Sequence, residues 1–272
     1  SGVTPSPEAV QALRQELGLD DLLPLRYGHW LSNTIRGDLG ESFRTGGSIT
    51  GELFRRLPAT LLLAATALSI AVVTGIPLGV MAAVKQGSWL DSACRILAIV
   101  GAAVPSYVLA PILMLIFAVQ FQWLPAVGYG SFQNLILPAI ALSFGTMAQL
   151  MRLTRSSLLE VLSQDYMRTA RAKGLSENSV VWRHGLKNSL LPVVTVLGTS
   201  TGYLLGGAVI IETIFGWPGI GQFVVTGITQ RDYPVVQGFV LYVAIIFLLV
   251  NLAVDLSYRW LDPRLHFNRQ AV

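Results

Sequence analysis

Five runs of this chain carry almost no charge, and they constrain its fold more than any other feature. They cover about residues 57–84, 95–121, 135–151, 190–211 and 235–256. An α-helix crosses the roughly 30 Å hydrocarbon layer of a bilayer in about 20 residues. Inside that layer every backbone N–H and C=O must be bonded within the protein, so such runs become helices. The runs therefore predict an all-α polytopic membrane protein with five spanning helices. Pro77-Leu78-Gly79 is expected to kink the end of the first span, and Pro105 lies within the second. The overall charged fraction of 12% agrees, being about half that of a soluble domain.

The cores of these spans hold no Asp, Glu, Lys, Arg or His, and Asp255 stands only at the end of the last. Ion-coupled carriers place ionisable groups near the midplane, because those groups are the coupling chemistry. Their absence argues against such a carrier, although Asn251, Gln149 and the many Ser and Thr remain able to line a path. No Gly-x-x-x-x-Gly-Lys-Ser/Thr run occurs, so no ATP site is visible in this chain. No Ser/His/Asp or His-Glu-x-x-His arrangement marks a membrane enzyme, and no catalytic residue is assigned. The single cysteine, Cys94, and the scattered His29, His184 and His266 offer no metal site. The net charge of +4 is not a nucleic-acid signal.

Lys and Arg set the orientation. Residues 1–57, 122–134 and 212–234 carry seven of them, six within the long N-terminal segment. Residues 84–95, 152–189 and 257–272 carry twelve. Among short loops the contrast is one against twelve, which assigns the second set to the cytoplasm. The N-terminal segment 1–57 then lies outside. It begins without Met and without a signal peptide, so a further spanning helix upstream of Ser1 is expected to carry it across. Within the segment, residues 7–18 predict an amphipathic helix with Val10, Leu13 and Leu17 on one face. Residues 25–33 predict a second, packing through Tyr27, Trp30 and Leu31. Gly37-Asp38-Leu39-Gly40 predicts a turn, and residues 48–56 a short interfacial helix.

The most basic and polar run is 165–192, DYMRTARAKGLSENSVVWRHGLKNSLLP. Tyr166, Ala170 and Lys173 share a helical face before Gly174. Ser176 is placed to N-cap a second short helix that passes Val180 and Val181 and ends near Leu186. Two short helices at a glycine corner read either as a docking element or as an ordinary basic loop. A chain with no ATP site that drives transport must draw its energy from another subunit, and a structured cytoplasmic loop is the natural place to dock it.

The run Asp165-Tyr166-Met167-Arg168-Thr169-Ala170-Arg171-Ala172-Lys173-Gly174-Leu175, then Arg183-His184-Gly185-Leu186-Lys187-Asn188 and Leu190-Leu191-Pro192, resembles the cytoplasmic "EAA-type" loop of bacterial ABC importer permeases. Arg168-Thr169-Ala170 replaces the strict Glu-Ala-Ala, and the interval to Pro192 is longer. Both departures resemble the dipeptide/oligopeptide/nickel group. Leu57-Pro58-Ala59-Thr60-Leu61, Leu124-Pro125-Ala126-Val127-Gly128-Tyr129-Gly130, Glu212-Thr213-Ile214-Phe215-Gly216-Trp217-Pro218-Gly219 and Arg231-Asp232-Tyr233-Pro234 are similar to other segments of those permeases. So are Leu17-Gly18-Leu19-Asp20, Asp255-Leu256-Ser257-Tyr258 and Leu261-Asp262-Pro263-Arg264.

The resemblance implies a type I ABC importer permease fold in a bacterial inner membrane. It implies an outer segment 1–57, a transmembrane domain 58–265 with its coupling loop at 160–189, and a cytoplasmic tail 266–272. The implied partners are a second homologous permease, two ABC ATPase subunits that bind ATP and Mg, an extracytoplasmic substrate-binding protein and the lipid bilayer. No cofactor and no nucleic acid belong to the chain itself. ATPase coupling is expected of Tyr166, Arg168, Thr169, Ala170, Arg171, Lys173, Gly174, Leu175, Val180, Arg183 and His184. The side facing the binding protein is expected to use Glu212, Phe215, Trp217, Pro218, Gly219, Arg231 and Asp232. Trp217 reads either as part of a rigid turn or as an interfacial anchor. Glu212 reads as a partner of Arg231 or as a substrate contact. Peptides, glutathione-like molecules and nickel chelates all fit the resemblance, with a passive channel or ion-coupled carrier as the alternative.

Overall fold

A computed structural model describes residues 22–261 together with Glu8, Gln11 and Asp20. The helix expected over 7–18 and the tail 266–272 lie outside the described residues. In chain order the helices are α1 (Leu23–Ile35), α2 (Ile49–Val84), α3 (Trp89–Ala103), α4 (Ser106–Leu113), α5 (Phe132–Leu162), α6 (Asp165–Ala172), α7 (Glu177–Ser179), α8 (Leu186–Phe215), α9 (Ile220–Thr229) and α10 (Tyr233–Leu261). Met114–Gln120 continues α4, and Val180–Gly185 joins α7 to α8, both as π-helical stretches. The described residues form no sheet, only one isolated bridge between Glu41 and Ser48.

Ile49–Val84, Phe132–Leu162 and Tyr233–Leu252 are each long and apolar enough to cross a membrane. Two bent pairs, Trp89–Ala103 with Ser106–Gln120 and Ala208–Phe215 with Ile220–Thr229, bring the passes to as many as five if each pair is counted as one. The expected second span is thus broken: it turns through 106° at Val104-Pro105, since the residue before a proline is pushed out of the helical region. Val104 has ψ 113°. The expected kink at Pro77 does not interrupt α2, which runs through both Pro58 and Pro77. Nor is there a separate helix at 48–56. Ser48 caps the N–H of Gly51, and the 36 residues of α2 follow without a break, about 54 Å at 1.5 Å per residue. Helix α1 forms as expected, but it buries no residue, and Tyr27, Trp30 and Leu31 stay exposed.

Helix α5 stands at the centre, packed by α2, α3 and α8. Its seams are made of small residues. A Cβ on Gly75 would sit 2.7 Å from the Met147 carbonyl oxygen, and one on Gly79 would sit 2.6 Å from that of Met151 and 2.7 Å from Thr154 Cβ. On another side of α5, a Cβ on Gly101 would meet Ala148 Cβ at 2.5 Å. Lipid tails solvate an apolar face as well as a neighbouring helix does, so close backbone approach is what holds such a bundle together. The core therefore runs as layers along α2 and α5. Leu63, Leu137, Ile211, Phe215 and Trp217 pack near one end, and Val80, Ala83, Leu158 and Val181 near the other.

Replacing Gly79 with Val should lower the stability of the bundle by about 1–3 kcal/mol or more, the usual penalty of overpacking. Thermal unfolding in detergent checks this, with Gly87→Ala, in open space at a positive φ, as the comparison for a purely local backbone effect.

Candidate functional site

At one end of the bundle the chain leaves α5, forms α6, turns at Gly174 and re-enters through α7. Gly174 has φ 80°, a left-handed conformation that glycine adopts without strain. No atom lies within 4 Å of the Cβ it lacks, so backbone conformation rather than crowding inside this chain requires it. Ser176 accepts from the N–H of Ser179 as expected of an N-cap. The second helix does not end at Leu186, however. It passes through the π-helical stretch into α8 and continues to Phe215.

The corner has an inner and an outer face. Met167, Val180, Val181 and Gly185 are buried, and Leu158 and Val80 pack beside Val181. Val180, expected to meet a partner, is 0% exposed and belongs to this anchor. The outer face shows Tyr166, Leu175 and Trp182, the last 49% exposed. Trp182 was not singled out from the sequence, because in a basic run it follows two valines and reads as core. Arg171 is held by Glu177 at 2.7 Å, and Arg168 lies 3.7 Å from Asp165 on the surface. Thr169 donates to the Asp165 carbonyl, Ala170 is half-buried, and Lys173 and Arg183 are exposed. The carbonyl of His184 accepts from Asn188, whose amide also reaches the Tyr166 hydroxyl at 3.2 Å.

A second feature of this end escaped the sequence. Asp91, at the start of α3, is 1% exposed. It receives Arg155 of α5 through Nε at 2.6 Å and Nη2 at 2.9 Å, and the N–H of Gly87 at 3.0 Å. Two-pronged guanidinium contacts are among the strongest charge-assisted bonds. This one fixes the loop between α2 and α3 to the part of α5 that leads into the corner.

At the opposite end, α8 stops at Gly216 (φ 61°) and the chain turns through 80° into α9. The residues expected to face a binding protein are mostly internal here. Trp217 is 1% exposed, donates from Nε1 to the Ala59 carbonyl at 2.9 Å and meets Tyr129 edge-on at 4.8 Å. It is a core residue of the turn rather than an interfacial anchor. Phe215 is buried too, Pro218 half-buried.

Glu212 is 0% exposed and does not pair with Arg231. Its carboxylate accepts from the Thr60 hydroxyl at 2.6 Å and from the N–H groups of Gly221 and Gln222 at 2.7 and 3.1 Å. Gly219 and Gly221 make room for it, since a Cβ on either would strike the carboxylate. Arg231 instead projects outward from a left-handed position, φ 58°. Asp232 is buried and accepts from the Ser42 hydroxyl at 2.5 Å and the N–H of Phe43 at 3.3 Å. It ties the hairpin around residues 41–48 to the start of α10.

Among the described residues no group of three His, Cys, Asp or Glu gathers to hold a metal. A family model described as "Binding-protein-dependent transport system inner membrane component" matches residues 75–267. The chain is 40% identical over 267 residues to the glutathione transport system permease protein GsiC of Escherichia coli (strain K12), covering 98% of this chain and 87% of that protein. The protein of the same name from Salmonella typhi matches equally. Among solved structures, the MetNI methionine ABC transporter in inward facing conformations matches with a TM-score of 0.64 at 19% identity, over 77% of this chain and 96% of that one. An amino acid ABC transporter with histidines gives 0.61 at 17%, over 77% and 94%. These two share the fold, that of type I importer permeases.

The buried pair gives a test. Arg155→Met removes the two-pronged partner of buried Asp91, leaving Arg95 at 3.9 Å and the Gly87 N–H, and should destabilise the bundle by up to about 3–5 kcal/mol. Adding Asp91→Asn should recover much of that loss. A double-mutant cycle on thermal unfolding reads the coupling directly.

Proposed function

The chain belongs to the family of binding-protein-dependent transport system inner membrane components, and we propose that it forms half of the pathway for a glutathione-like short peptide, driven by ATPase subunits docked at the Gly174 corner. It is a permease subunit of an ABC importer in a bacterial inner membrane, multi-pass. The two-faced corner carries the reading. One face is anchored in α2 and α5 through Val181, with Met167 and Val180 buried beside it in the corner, while Tyr166, Leu175 and Trp182 are exposed. A helix laid in a groove binds through such spaced apolar anchors, and exposed Arg168, Lys173 and Arg183 supply charge around them.

In this reading ATP and Mg are bound by the partner subunits, and this chain performs no chemistry. Closure of the two ATPases moves the corner, and the spans alternate between inward and outward access. A second permease completes the pathway, and an extracytoplasmic binding protein delivers the solute. The solute class is drawn from relatives that are glutathione permeases at 40% identity over nearly the whole chain.

Two measurements test this. Trp182→Ala should weaken retention of the ATPase subunits by about 2 kcal/mol, roughly thirtyfold in affinity, as for a typical aromatic anchor, while the unfolding temperature of the isolated permease stays put. Undiminished co-purification and ATPase coupling in Trp182→Ala and Arg171→Glu would sink the docking role. For the solute, calorimetry on the partner binding protein should give tight binding of glutathione and none of a nickel chelate. The reverse order would overturn the assignment.

A further inference from the structure

The first N–H groups of a helix have no partner within it and are usually satisfied by the side chain of the residue just before. Helix α9 has glycine there, Gly219, and no local side-chain cap. Its donors are met from elsewhere. The N–H of Ile220 is accepted by Thr60 of α2 at 2.9 Å, and those of Gly221 and Gln222 by Glu212 of α8. Thr60 in turn donates to Glu212. The hydroxyl thus uses its proton toward α8 and a lone pair toward α9, and the carboxylate accepts three donors and offers none. The N–H groups of the first three residues of α9 thus go to α2 or α8. Toward α10, α9 packs through Ile220 and Phe223 against Val235 and Phe239, and its Gly227 carbonyl accepts from the N–H of Asp232 at 2.8 Å. An apolar cleft lined by Leu57, Thr60, Ile220, Gly221, Phe239 and Tyr242 opens beside the node.

We propose that Glu212 and Thr60 are positioning residues for transport: they join the re-entrant helix α9 to α2 and α8, so that these three move as one body when the outer end of the pathway opens. This rests on the permease reading above. Neither residue needs to touch solute. Their effect is exerted through where α9 is held. A node of four interdependent bonds fixes the geometry of a part that must keep its shape while its surroundings rearrange.

The test uses the full complex of both permeases, ATPase subunits and binding protein, reconstituted in liposomes. Glu212→Gln places an amide donor against the Thr60 hydroxyl, and Thr60→Val keeps the shape but removes the hydroxyl. Both should assemble and hydrolyse ATP, yet move about tenfold less solute per ATP, a coupling loss of ordinary size. Thr60→Ser, which restores the hydroxyl, should recover the ratio. In a Cys94→Ala background, spin labels on Arg55→Cys and Thr229→Cys should give one narrow α2–α9 distance with and without nucleotide, and a broadened one once Glu212→Gln or Thr60→Val is added. The proposal is overturned by wild-type uptake per ATP in both variants, by Thr60→Ser behaving like Thr60→Val, or by an α2–α9 distance that already changes with nucleotide in the unaltered node. The distance measurement needs no solute. If glutathione is not transported, the substrate reading falls and this proposal is still decided.

Discussion

Everything in the bundle depends on how closely α2 and α5 approach each other. Helices in a bilayer gain little by hiding apolar side chains, because lipid offers the same surroundings. What they gain comes from packing, and packing needs backbones near enough for many atoms to touch at once. Gly75 and Gly79, four residues apart on one face of α2, allow the carbonyls of Met147 and Met151 to lie where side chains would otherwise stand. Gly101 does the same for α3 against Ala148. With α5 gripped on two sides, its lower part can present Arg155 to Asp91 and lead through Leu162 into the corner without slack.

The two ends built on this frame differ in kind. At the Trp217 end the polar groups look inward. Glu212, Asp232 and the Trp217 indole all bond to backbone or hydroxyl groups of other segments, and Phe215 and Trp217 are covered while Trp123, Tyr129 and Tyr233 stay exposed. At the Gly174 end the bonds within the corner are local, between Arg171 and Glu177 or Asn188 and Tyr166, and the apolar groups on its outer face are uncovered. The first arrangement specifies a shape. The second leaves surface for another molecule and a single left-handed glycine to hold the angle at which it is offered.

These differences explain what was legible in the sequence. The spans, the Gly174 corner and the Ser176 cap are set by periodicity, charge or local backbone chemistry and are legible in the sequence, although α2 begins at Ile49 rather than near 57 and α5 ends at Leu162 rather than near 151. The partners of Glu212 cannot. Thr60 lies 152 positions away, while the nearer arginine, Arg231, suggested an ion pair that does not form. Asp91 and Arg155 are separated by 64 positions, and Arg155 reads as one more positive charge near the membrane surface until its partner is seen. Val180 and Trp182 differ by two places and face opposite ways. The π-helical stretch Val180–Gly185 alters the 3.6-residue count on which a face assignment relies. The expected packing face of α1 failed for another reason, since an amphipathic pattern marks a face to be covered without saying by what.

One element belongs to both ends. Helix α8 begins at Leu186, where it packs with Leu158, Val80 and Val181 beneath the corner, and carries Glu212 in its last turn before Gly216. Its 30 residues span about 45 Å. Pro192 leaves one turn near the corner without its usual backbone bond, and Gly198, Gly202, Gly206 and Gly207 lie between it and Glu212. On the coupling reading proposed above, a displacement applied at the corner would reach the Trp217 end as a tilt of α8. Whether α9 follows that tilt or is left behind is decided by three bonds to one carboxylate and one hydroxyl, which makes the Glu212–Thr60 node the place where a movement begun at the corner is either passed on or lost.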